Sequence, residues 1–143
     1  MREIEVLVEH LTENGQNFFA GPSVTAIPNL QSSDLQDANN FVVTPLELIT
    51  IDFDYPLDHT VTLAFENAGG FTALDFLRCV HEGYSQIYQE EEAAVGDPGV
   101  IPGMYNRGVS TGPHGIWGHY MEDLWFEGAT EIIPGHFSLM IGS

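Results

Sequence analysis

The sequence predicts one α+β domain, an antiparallel sheet of four to six strands packed against a single main helix at about residues 72–93. Two kinds of pattern and one bulk property predict it. Apolar and polar residues alternate with period two in Glu3–Glu9 and Thr60–Glu66, which places one face of a strand in a core. Between Phe71 and Ala94, apolar residues recur at spacings of three and four, the signature of a helix with one buried stripe. The chain has 143 residues of which 43% are hydrophobic, enough for one core of ordinary size.

The first strand has Ile4, Val6 and Val8 on one side and Glu3, Glu5 and Glu9 on the other, with Leu7 breaking the polar face. Thr12–Gly15 then turns the chain. Phe18–Asn40 is rich in Pro, Ser, Asn and Gln and has no clear period, so it reads as a long, partly ordered loop. Leu30–Ala38 within it fits a short helix with Ser33 as its cap. Phe41–Val43 and Leu46–Phe53 are β-rich and are separated by Pro45, which has no N–H to give a ladder. The run Asp54–Asp58 (DYPLD) is a turn that joins Leu46–Phe53 to Thr60–Glu66 in a hairpin carrying Asp54, Asp58 and His59.

The helix is the most strongly marked element. Thr72 and Asp75 stand three apart, as in a capping box, and Phe71 and Phe76 occupy the positions of a hydrophobic staple. Leu74, Leu77, Val80, His81, Tyr84, Ile87 and Tyr88 form the stripe. Gly83 inside it costs about 1 kcal/mol relative to alanine, which implies close packing or a bend there. Glu90, Glu91 and Glu92 oppose the negative end of the helix dipole and are expected to fray it. Gly96–Gly103 (GDPGVIPG) stops the helix, and His136–Ile141 alternates loosely as a last strand.

Charge excludes some functions. Three Arg, no Lys and 21 acidic residues give a net charge of −18, which repels nucleic acid. Without lysine there is no Schiff-base chemistry, and neither GxSxG nor GxxxxGK occurs. No apolar run approaches the roughly 20 residues of a membrane span. The N-terminal residues lack the features of a signal peptide, and the single Cys79 suits a reducing compartment, so an intracellular setting is expected.

Tyr105–Glu127 gathers both tryptophans, two of six histidines and four of fifteen glycines. Its first part, Asn106–Gly118, is a turn-rich loop interrupted by Ile116 and Trp117; a loop tryptophan folds back on a core or meets a partner. After Gly118, a helical turn through Tyr120–Asp123 followed by a strand from Leu124 fits the pattern. Asn106, Arg107, Trp117, His119, Tyr120 and Trp125 are the interaction candidates. His114, His119, Glu122 and Asp123 supply nitrogen and oxygen atoms of the kind zinc takes, although their spacing is not that of HExxH. Asp52, Asp54 and Asp58 lack the glycine and terminal glutamate of an EF-hand. Cys79, inside a helix, is expected to be inert, and His81 to be a satisfied core histidine.

The segments YSQIYQEEE, NR, GPHGIWGH and DLWFEGA resemble a family of small proteins from large DNA viruses and algae. The resemblance spans roughly residues 51–143. It implies a viral or algal setting, hence host cytoplasm or virion if viral, and carries over no activity, cofactor or site residue. The leading expectation is a non-enzymatic interaction or structural module that binds a protein partner or itself through the Trp117 loop. The alternatives are a metal-assisted hydrolase using His114, His119, Glu122 and Asp123, and an acidic mimic that engages a basic protein through Glu90–Glu92 or Asp52, Asp54 and Asp58.

Overall fold

A computed structural model describes all residues, 1–143. The chain forms β1 (Arg2–Ile4), β2 (Val8–Leu11), β3 (Asn17–Ala20), β4 (Val42–Thr44), β5 (Leu48–Phe53), β6 (Val61–Glu66), β7 (Phe71–Thr72), α1 (Ala73–Val95), β8 (Trp125–Ile133) and β9 (His136–Gly142). Five strands make the main sheet in the order β1-β8-β9-β5-β6, and α1 packs on one face of it. Pairs β2–β3 and β4–β7 form two small ribbons. The α+β class and the strand number agree with the sequence; the all-antiparallel expectation does not. β5 and β9 run parallel, with Ile51 opposite Phe137, so the sheet is mixed.

Thr50 and its β9 partner His136 are 86 positions apart. Residue alternation is the same in parallel and antiparallel strands, so pairing across that distance is not encoded locally.

One side of the sheet is apolar and meets α1. Phe76 lies edge-on to Phe137, with ring centres 5.0 Å apart, and Phe53 lies edge-on to Tyr84 at the same separation. The other side is polar at the parallel seam. There His136 joins Thr50 through Nδ1 and Asp52 through Nε2, each at 2.8 Å, and Thr62 donates to Asp52 at 2.6 Å. Asp52 is thereby committed to cross-strand bonding.

The expected N-terminal strand is split. Ile4, Val6 and Val8 are all buried, as the alternation requires, but β1 pairs with β8 and β2 pairs with β3. Thr12–Gly15 is the turn between β2 and β3, and the Gly15 N–H donates to the Thr12 carbonyl. The 18–40 region is better ordered than its composition suggests. It holds β3 and three short 3-10 turns, Val24–Asn29, Ser32–Asp34 and Asp37–Asn39, in place of a helix capped by Ser33. Val24, Ile27 and Leu35 anchor it in the core.

The start of α1 agrees with the sequence. Thr72 and Asp75 exchange both capping bonds, at 3.0 and 3.1 Å, and Phe71 and Phe76 are buried. Cys79 is buried, and burial, then the Glu82 and Asp75 carboxylates, push its thiol up to about 12, which keeps it protonated. His81 is half-buried. The end of α1 does not fray at Glu90: the helix continues to Val95, and Glu91 is fully buried.

Gly83 faces the tip of the Phe53 ring. An added Cβ would lie 2.1 Å from Cζ of that ring, which is itself fully buried. Gly83→Ala is therefore expected to destabilise the fold by about 1–3 kcal/mol through overpacking, despite the better helix propensity of alanine. Chemical denaturation checks this, and a rise in stability would contradict it.

Candidate functional site

Glu91 lies three residues after Tyr88 and four after Ile87, so it continues the apolar stripe of α1. Its carboxylate is fully buried beneath the 106–119 loop and receives five hydrogen bonds from it. The donors are the Ser110 hydroxyl at 2.6 Å and the backbone N–H groups of Gly112 (2.9 Å), His114 (2.8 Å), Gly115 (3.2 Å) and Ile116 (3.4 Å). Burial by itself would raise the Glu91 pKa. The Ser110 hydroxyl and the N–H groups of His114, Gly112 and Gly115 outweigh it and bring the value down to about 2.

Arg107 completes this anchor and is also fully buried. Its Nη1 donates to Ser110 Oγ at 3.1 Å and to the Gly108 and Ile116 carbonyls, and its guanidinium lies 5.7 Å from the centre of the Tyr88 ring. Ser110 thus links Arg107 to Glu91. Arg107, an interaction candidate from the sequence, is inside the fold and holds the loop.

The loop carries its large side chains in two directions. Ile116 is fully buried, whereas the adjacent Trp117 is 42% exposed. Trp117 packs beside Tyr55, with ring centres 5.3 Å apart, and beside His119 at 5.9 Å. His119 Nε2 bonds the Tyr55 hydroxyl at 2.9 Å and Ser143 Oγ at 3.2 Å.

Beyond His119 lies an open cleft of about 480 Å³. Tyr105, Asn106 and Trp125 contribute to its lining, as do His119, Glu122, Asp123 and Ser143. Tyr105 is 98% exposed and Trp125 is 40% exposed. Asn106 is positioned by a bond from its Nδ2 to the Gly118 carbonyl at 3.2 Å. Asp123 accepts from Tyr120 N at 2.9 Å through one carboxylate oxygen, closing the 3-10 turn Met121–Asp123. On the far side, Trp125 packs against His10, which stacks on Phe18. A band of aromatic and histidine rings therefore runs from Phe18 through Trp125 and the cleft to Trp117 and Tyr55.

The four sequence-derived metal candidates are not brought together. His119, Glu122 and Asp123 share the cleft, but His114 is tied to Glu90 on α1 by a bond of 2.9 Å. No group of three or more His, Cys, Asp or Glu side chains is placed to hold a metal ion. Glu90–Glu92 does not form a three-carboxylate surface either, because Glu91 points inward and Glu90 pairs with His114. Sequence reasoning missed Glu91, Tyr55, Tyr105, His10 and Phe18. For Glu91 a signal existed: a carboxylate at stripe spacing.

The fold and site define an α+β protein with an exposed aromatic band, of which the Trp117 loop is held from inside by a buried carboxylate. No protein-family model, curated protein or solved structure matches the chain. No helix is long and apolar enough to cross a membrane.

Proposed function

We propose that the protein is a non-enzymatic interaction module that binds a protein partner through the aromatic band. The observation supporting this is the exposure of Phe18, Tyr105, Trp117 and Trp125 along one surface. Tryptophan and tyrosine are the side chains that most often anchor protein interfaces. The loop bearing Trp117 is fixed from inside by Glu91, so little ordering cost remains for binding. A charge of −18 on each copy opposes self-association and favours a different, basic partner. The resemblance to small viral and algal proteins makes the infected or algal cell the place to seek it.

Selection from a displayed random-peptide library tests this reading. Wild type is expected to select ligands that Trp117→Ala and Trp125→Ala each weaken at least tenfold while the fold persists. An empty selection, or ligands indifferent to both substitutions, would overturn it.

A further inference from the structure

We infer that the cleft between Tyr105 and Trp125 receives a cationic side chain, a guanidinium or an ammonium, from a basic protein segment. The inference rests on the interaction reading above and names the chemistry of its central contact. Three features of the cleft converge on a cation. Its walls include two exposed aromatic rings, whose faces attract positive charge. Its lining includes Glu122 and Asp123, neither of which has an ion-pair partner. Asp123 accepts the Tyr120 N–H through one oxygen, and its other oxygen accepts no hydrogen bond.

None of the chain's three arginines fills this place. Arg2 pairs with Glu131, Arg78 lies beside Asp75, and Arg107 is buried under the loop. Asn106 and Ser143 add polar atoms to the lining. A planar guanidinium suits the site best, because it stacks on a ring and bonds a carboxylate edge-on at the same time. The surrounding negative field also raises the local concentration of a basic segment and speeds its capture.

The test is an NMR titration of the whole chain with acetyl-Gly-Arg-Gly-amide and its citrulline counterpart, a neutral isostere. The arginine peptide is expected to shift the Trp125 indole and the Tyr105 and Asn106 amides, with the citrulline peptide binding at least tenfold more weakly. Glu122→Gln combined with Asp123→Asn is expected to weaken the arginine peptide at least tenfold, and Glu90→Gln with Glu92→Gln to leave it within twofold. Equal binding of citrulline, as a neutral hydrogen-bonding ligand would show, overturns the inference. So does an equal loss in the Glu90/Glu92 variant, which would indicate only a diffuse field. If library ligands depend on Trp117 while the arginine peptide does not bind, the cleft assignment fails and the interaction reading stands.

Discussion

Glu91→Ala is expected to lower stability by about 3–5 kcal/mol, the range for stripping a partner from a buried charged network. Five donors lose their acceptor at once, and each buried orphan costs about 1–3 kcal/mol before the loop relaxes toward water. Glu91→Gln keeps the shape and one accepting oxygen, so it should lose less and remain folded. Its difference from wild type should depend on pH. The folded carboxyl has its pKa depressed from 4.5 to about 2, so its contribution is complete above about 4.5 and is lost as pH falls toward about 2. Urea midpoints at several pH values should show the gap between wild type and Glu91→Gln closing across that window. A gap that widens on acidification would contradict the sign.

Arg107→Ala is expected to cost a similar amount, about 3–5 kcal/mol, from the cavity left by a fully buried side chain and the loss of its bonds. Ser110 connects the two residues, so their effects should not add. The double variant is expected to fall short of the sum by about 0.5–3 kcal/mol in a denaturation cycle. Strict additivity would mean that Arg107 and Glu91 hold the loop independently.

The parts legible in the sequence were those with local causes. The Thr72–Asp75 cap and the apolar stripe mark α1, and the β5–β6 hairpin follows from alternation on either side of a turn. Trp117 stood out as a large ring in a glycine-rich loop, but the sequence did not say that Ile116 turns inward and Trp117 outward. Long-range causes were not legible. Glu91 looked like a misplaced charge at a helix end because most of its partners are backbone N–H groups of residues 112–116, which carry no side-chain signature. The parallel seam between β5 and β9 and the cleft shared by Tyr105 and Trp125 arise only when distant segments meet.

Amide hydrogen exchange at Gly112, His114, Gly115 and Ile116 tests most directly whether the buried carboxylate organises the loop that carries Trp117. In wild type these amides should be protected to an extent comparable with α1, although they lie in a loop. In Glu91→Gln the pair of amides that faces the new amide nitrogen should lose protection while the β5–β9 amides keep theirs. Fast exchange of the four amides in wild type, or unchanged protection in Glu91→Gln, would contradict the account.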